Sequence, residues 1–157
     1  MTYVISDIHG RYEKFKEMLR TIRFGDRDVM YVLGDIVDYG DESMELIGDL
    51  SIRYNVYPIV GEHDYIALKM LSGFEKMLKS GETPDKKFIA KMTEWAADGG
   101  QVTLDAFRTL DAEMREGIID YLSDMTLYEE VEAGGRDFLL VHAGTAGFKS
   151  GIDLEKL

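Results

Sequence analysis

Short apolar runs and helical stripes alternate along the first part of this 157-residue chain. Runs at 3–6, 29–33, 56–60 and 138–141 are continuous enough in apolar residues to read as buried strands. Between the first two, Tyr12, Phe15, Leu19 and Ile22 recur at helical spacing, and Leu46, Ile47 and Leu50 do so less cleanly before the third. Strand, helix and strand at this interval predict crossover units in a parallel or mixed sheet, hence an α/β fold. From about residue 63 to 125 the pattern turns helical. Ile66, Met70, Phe74, Met77 and Leu78 form one stripe. Phe88, Ile89, Met92, Trp95 and Ala96 form a second, with Thr83 expected as its cap and Pro84 in its first turn. Met114, Ile118, Tyr121, Leu122 and Met125 form a third, and Leu104, Phe107 and Leu110 a short one before it. This stretch reads as a helical insertion between the third strand and a last pair, in which 127–132 and 136–142 make a hairpin around Gly134-Gly135.

Composition narrows the class. A chain of this length is expected to be one domain, 1–157, with a sizeable core. Acidic residues outnumber basic ones 30 to 18, which argues against a broad non-specific grip on nucleic acid. Small anionic substrates remain open, because a bound metal can dominate the local field. No run approaches the roughly 18 uninterrupted apolar residues of a membrane helix. The chain enters a strand-like run at once, with no basic region or small-residue cleavage site. The absence of cysteine excludes disulfides, thiolate ligands and a cysteine nucleophile, and is compatible with a reducing cytoplasm, the setting expected here.

All three histidines stand beside an acid or a glycine where an apolar run ends: His9 in Asp7-Ile8-His9-Gly10, His63 in Gly61-Glu62-His63-Asp64, and His142 in Val141-His142-Ala143-Gly144. Gly34-Asp35-Ile36-Val37-Asp38-Tyr39-Gly40 occupies the same kind of place without a histidine. Carboxylates mixed with imidazoles suit a borderline divalent ion such as Mn²⁺, Fe²⁺ or Zn²⁺. The carboxyl ends of strands built from crossover units form the crevice where ligands collect. Asp7 and His9, two apart, would point to one side of an extended segment, and Asp35 could bridge two ions through its two oxygens. Single features carry less. Gly-Asp also occurs at 25–26, 40–41 and 48–49, where turns explain it, Asp7 could cap the following helix, and His142 alone could be a hydrogen-bonded core residue. Their joint occurrence points to a metal site.

The four segments, in this order, resemble the signatures of calcineurin-like metallophosphoesterases, in the branch of serine/threonine phosphoprotein phosphatases and bis(5'-nucleosyl)-tetraphosphatases. Trp95 through Phe107, with Gly99-Gly100 and Thr103-Leu104, resembles a segment of the same branch. The resemblance implies a two-sheet sandwich flanked by helices, and a two-metal phosphoesterase whose bridging hydroxide attacks phosphorus. Carried over by position, Asp7 and His9 would hold a first ion, Asp35 would bridge, and Glu62 and His142 would help hold a second; Mn²⁺ is expected. His63, oriented by Asp38, would protonate the leaving oxygen.

This chain departs from the family pattern in three places. Glu62 stands where the family usually has asparagine, which adds negative charge at the second ion. Tyr39 replaces the arginine that grips phosphate, leaving Tyr39 itself, Arg11 or Arg136 to contact substrate. No histidine follows His142, where the family has a further ligand. The chain then reads either as a fragment lacking its C-terminal part, the preferred account, or as a shortened form with an incomplete second site. The ending after Phe148 lacks the strands that would complete the second sheet, and an exposed sheet edge would favour a homo-oligomer. The leading function is hydrolysis of phosphomonoesters such as phosphoserine or phosphothreonine. The alternatives are hydrolysis of dinucleoside polyphosphates, or a catalytically weakened metal-binding scaffold.

Overall fold

The computed structural model describes residues 1–81 and 83–144, so the expectation for the segment after Phe148 lies outside the described residues. Three parallel strands, β1 (Thr2–Ile5), β2 (Val29–Leu33) and β3 (Val56–Ile59), lie in the order β1-β2-β3. Tyr3 pairs with Met30, and Met30 with Val56. The strands fall within a residue of the expected runs. Two helices make the crossovers, α1 (Tyr12–Thr21) and α2 (Ser43–Ser51). Phe15 and Leu19 of α1 are buried, as are Leu46, Ile47 and Leu50 of α2. Met30 and Val32 on the central strand are wholly buried, which is why that run reads as apolar in sequence. The Gly48-Asp49 pair, expected in a turn, lies inside α2, where Asp49 accepts two hydrogen bonds from Arg53 one turn on.

The insertion contains α3 (Glu62–Ser80), α4 (Lys86–Trp95), α5 (Gln101–Thr109) and α6 (Ala112–Ser123). Helix α3 packs on α6 and α4, while α2 packs on α5 and α6, so the insertion shares one core with the crossover helices. Helix α4 does not begin as the sequence suggested. Its cap is Asp85, whose carboxylate accepts from the Phe88 amide at 2.7 Å; Thr83 and Pro84 precede the helix. An aspartate at this position satisfies an orphan amide better than threonine. The hairpin pairs β4 (Glu129–Ala133) with β5 (Arg136–Leu140) around Gly134 and Gly135, both at positive φ, as a two-residue turn requires. It is tied to β3 where the Val60 amide donates to the Thr126 carbonyl at 2.8 Å.

One ion pair lies inside the insertion. Glu75 is 5% exposed and accepts from Arg115 Nε at 2.6 Å, while Arg115 also donates to the Leu110 carbonyl at 2.6 Å. Helix α3 is thereby locked to the entry of α6. Arg115→Ala would leave the buried Glu75 carboxylate with only Lys79 Nζ, 3.8 Å away, in place of its close partner, and loss of a buried partner costs at most about 3 kcal/mol when a second cation remains. Urea unfolding of Arg115→Ala should show a loss approaching that size. Restoring shape without charge, in Glu75→Leu with Arg115→Met, should recover most of it; a single variant as stable as the parent would show that the pair holds nothing together.

Candidate metal centre and its acid–base pair

The site is built from loops that follow β1, β2 and β3, and the backbone laces the first two together. Amides of Asp7, His9 and Gly10 donate to the carbonyls of Gly34, Asp35 and Ile36 at 3.1, 2.9 and 2.7 Å. This pairing is made in an unusual conformation. Among the described non-glycine residues, positive φ occurs at Asp7, His9, Arg23, Asp35, Asp38 and Tyr39, and five of these six belong to the candidate site. Side chains other than glycine adopt that region at a cost, and they cluster where function requires it. Asp7 and His9 therefore do converge, but through left-handed turns rather than from the same side of an extended segment. Nor does Asp7 cap α1, whose cap position is Arg11.

Asp64 holds these loops in place. Wholly buried at the third position of α3, its carboxylate accepts from the amides of Asp35 at 2.8 Å, Ile36 at 2.9 Å, Val37 at 3.3 Å and Gly61 at 2.9 Å. Burial pushes its pKa up, and the amides of Gly61, Ile36 and Val37 oppose that shift without cancelling it. The contact is close enough to exclude a side chain at 61: a Cβ there would lie 2.2 Å from Asp35 Oδ1.

Asp7, His9 and Asp35 each place one ligand atom within 4.8 Å of the others, a grouping that could hold a metal ion. His9 Nε2 lies 3.9 Å from Asp7 Oδ1 and 3.8 Å from Asp35 Oδ2. His142 Nε2 lies 3.5 Å from the same Asp35 oxygen. Each ring is oriented by its other nitrogen: His9 Nδ1 donates to the Val37 carbonyl at 2.8 Å and His142 Nδ1 to the Leu33 carbonyl at 2.6 Å. A carbonyl only accepts, so Nδ1 carries the proton and Nε2 presents its lone pair toward Asp35, as metal-binding imidazoles do. His142 is hydrogen-bonded, as the structural alternative foresaw, yet it also faces the cluster. The two oxygens of Asp35, expected to bridge two ions, have different neighbours. Its Oδ2 faces both imidazoles, whereas Oδ1 accepts from the His63 amide at 3.0 Å.

Glu62 stands apart. Its side chain is exposed at the first position of α3, and among the described residues Asp35, Glu62 and His142 do not form a second trio at that spacing. It lines an apolar hollow with His142, Leu127 and Leu139 instead. Arg11 is exposed, and its side chain makes no hydrogen bond or ion pair among the described residues. Arg136 opens β5 at the turn end of the hairpin, six residues before His142 and so roughly 20 Å from it along an extended strand; it does not serve this site.

His63 and Asp38 meet directly, with Nδ1 donating to Oδ2 at 2.8 Å. Asp38 is wholly buried and also accepts from Trp95 Nε1 at 2.8 Å and Thr103 Oγ1 at 2.7 Å. Burial lowers the His63 pKa, but the hydrogen bond and charge of Asp38, with Asp35 and Asp98 behind it, outweigh that and leave it raised. Tyr39, half-exposed, is engaged within the chain. Its hydroxyl donates to Asp98 Oδ1 at 2.8 Å, and its ring packs 5.0 Å from the His9 ring and 5.2 Å from the His63 ring. Asp64, Trp95, Thr103 and Asp98 were not recognised from sequence as parts of this site, although Asp64 adjoins His63 and Trp95 is the sole tryptophan.

A family model described as calcineurin-like phosphoesterase matches residues 2–155, and the chain belongs to that family. Among its relatives is a symmetrical bis(5'-nucleosyl)-tetraphosphatase of Acidovorax sp. (strain JS42), 28% identical over 144 residues, which cover 90% of this chain and 43% of that one. A protein of the same name from Buchnera aphidicola subsp. Schizaphis graminum (strain Sg) is 38% identical over 79 residues, covering 49% and 29%. A metallophosphoesterase from Sphaerobacter thermophilus shares the fold, with a TM-score of 0.50 and 19% identity across 82% of this chain and 42% of that one. The chain thus spans less than half the length of these relatives. No helix among the described residues is long and apolar enough to cross a membrane.

Asp64→Asn would turn an amide NH₂ toward backbone donors that now have an acceptor. Unsatisfied buried donors cost about 1–3 kcal/mol each, so a stability loss of at least about 3 kcal/mol in urea unfolding is expected, together with weaker Mn²⁺ binding by calorimetry. A variant with parental values of both would show that the carboxylate does not hold the loops.

Proposed function

We propose that this chain carries the metal-binding and acid–base half of a phosphoester hydrolase. The observation that supports this most is the pairing of two sites at contact distance: a carboxylate–imidazole cluster around Asp35 Oδ2, and a His63–Asp38 pair whose backbone amide reaches Asp35 Oδ1. The donor set suits a divalent cation, with Asp7, His9 and Asp35 as first ligands and His142 on the far side of Asp35; of the borderline ions we favour Mn²⁺. Ions held there would polarise phosphoryl oxygens and make water a better nucleophile. The chain's own residues do the rest. Asp38 fixes the His63 ring and keeps its proton on the ring to higher pH, so that Nε2 can protonate the departing oxygen. Trp95 and Thr103 fix Asp38 in turn. Glu62 would need to turn inward to contribute to a second ion.

Among substrates, we place dinucleoside polyphosphates ahead of phosphoproteins, because the relatives carry the name of a tetraphosphatase and none of those cited is named as a protein phosphatase. The lack of cysteine fits a cytoplasmic setting. The weakened-scaffold reading retains one support, the exposed position of Glu62. The test is hydrolysis by the 157-residue chain with Mn²⁺, comparing diadenosine tetraphosphate with a phosphoserine peptide. Turnover of the nucleotide with the higher kcat/KM is expected, and Asp35→Asn should reduce it by a factor of about 1,000 or more, the size of effect that follows loss of a principal charge-stabilising group. Full Mn²⁺ binding without turnover of either substrate would favour the scaffold.

A further inference from the structure

Two hollows flank the candidate metal centre, and they differ in chemistry. The one beside His142, about 580 Å³, is walled by Leu127, Tyr128, Leu139 and Val141, and among the described residues Glu62 is the charged side chain that lines it. The other, about 460 Å³, opens beside His63 between α3 and α4 and is lined by Tyr65, Lys69, Lys91 and Trp95. Both volumes suit a ligand of nucleotide size. Only the second carries ammonium groups.

We propose that the hollow beside His63 is the leaving-group subsite, where Lys69 and Lys91 hold the phosphates of a nucleoside polyphosphate beyond the one attacked and so set the substrate class. This rests on the phosphoester-hydrolase reading given above. Lys69 and Lys91 form no ion pair among the described residues; Lys69 Nζ sits 3.9 Å over the Tyr65 ring instead. That cation–π contact holds an ammonium at the rim without neutralising it. Two carboxylates also line the hollow, Glu94 and Asp98. The Tyr39 hydroxyl donates to Asp98 without removing its charge, so both acids oppose an incoming polyanion, and Glu94 is the one that makes no hydrogen bond among the described residues. Position completes the argument. The group that protonates the departing oxygen must face the leaving group, and His63 lines this hollow and not the apolar one. A leaving group with its own phosphates therefore meets two cations, whereas an uncharged alcohol or phenol gains nothing from them.

The sole tryptophan reports on the subsite, since Trp95 lines it. Titrating ADP into the metal-free chain while following Trp95 fluorescence should give a saturable change. Lys69→Ala with Lys91→Ala should raise the half-saturation concentration by about tenfold or more, the equivalent of one charge-assisted contact. Glu94→Gln, which removes one opposing charge, should lower it. With Mn²⁺ present, the ratio of kcat/KM for diadenosine tetraphosphate to that for p-nitrophenyl phosphate should fall about tenfold in the double lysine variant. Circular dichroism shows whether each variant is folded, and the opposite shifts expected of the lysine and Glu94 variants separate charge from damage. Equal ADP affinity in parent and double variant, or an unchanged substrate ratio, would overturn the subsite. Failure of the parent chain to hydrolyse either substrate would instead count against the hydrolase reading, and the ADP titration would still decide the subsite.

Discussion

The carboxylate of Asp64, closed off from water and gathering four backbone amides, is the contact on which the site's geometry depends. Loops after β2 and β3 approach too closely for side chains between them, so their amides can reach neither water nor a strand partner. Buried amides must be paired. One acid at the third position of α3 pairs amides from both loops and ties their relative position to a long helix with Ala67, Met70 and Leu71 in the core. Of the left-handed turns at Asp35, Asp38 and Tyr39, the first has its amide held by Asp64, and the other two have theirs held by Thr103 Oγ1 and the Gly99 carbonyl. Each is unfavourable by on the order of 1 kcal/mol in isolation. They persist because the surrounding contacts leave the chain no cheaper route that also satisfies its amides.

The insertion is joined to the site by a second buried acid. Asp38 comes from the loop after β2, His63 from the start of α3, and Trp95 and Thr103 from either side of the kink between α4 and α5. That kink passes through Gly99 and Gly100, and a Cβ at Gly100 would fall 2.2 Å from the indole. The four-helix segment is therefore no ornament on the sheet. It supplies the donors that satisfy Asp38, and through Asp38 it fixes the imidazole beside the metal cluster. Packing of α4 and α5 against α3 and α2 is in this sense a determinant of proton transfer, since a shift of either helix moves a hydrogen bond to the residue that orients His63.

The strands and most helices were readable from sequence because burial writes itself as periodicity. β2 is wholly buried on the face of Met30 and Val32 and half-buried on the other, and gave a continuous apolar run, while the sequence of α3 gave one stripe from Ile66 to Leu78. Boundaries set by single side chains were less readable, as the cap at Asp85 shows. The convergence of Asp7, His9 and Asp35, with His142 facing Asp35, could be anticipated for another reason: residue types able to hold a metal are few, and these stood at strand ends. What periodicity cannot record is a polar role within an apolar stripe. Trp95 lies on the buried face of α4 as expected, yet its indole N–H is spent on Asp38. Asp64 was concealed by its neighbour His63. Glu62 shows the converse limit, since whether a ligand type faces the site depends on which way a helix's first residue turns, and here that side chain is exposed.

Tyr39 shows how one replacement redistributes charge around the site. An arginine there would carry a cation beside Asp98 and over the metal face. The phenol instead donates one hydrogen bond to Asp98 and leaves that carboxylate negative. Asp98 then acts on His63, joining Asp38 and Asp35 in holding the imidazole's pKa up. Where the family resemblance implies a guanidinium, the phenol brings no cation to phosphate, and Asp98 helps keep the His63 imidazole protonated to higher pH. Phosphate binding must then fall to other cations, and the described structure offers them at two places: Arg11 at the head of α1, without a partner, and the lysines between α3 and α4. On the subsite proposed above, the lysines would contact what leaves rather than what is attacked. A site of that kind would distinguish its substrates by the charge of the departing group, because no arginine at position 39 would hold the attacked phosphate in every substrate alike.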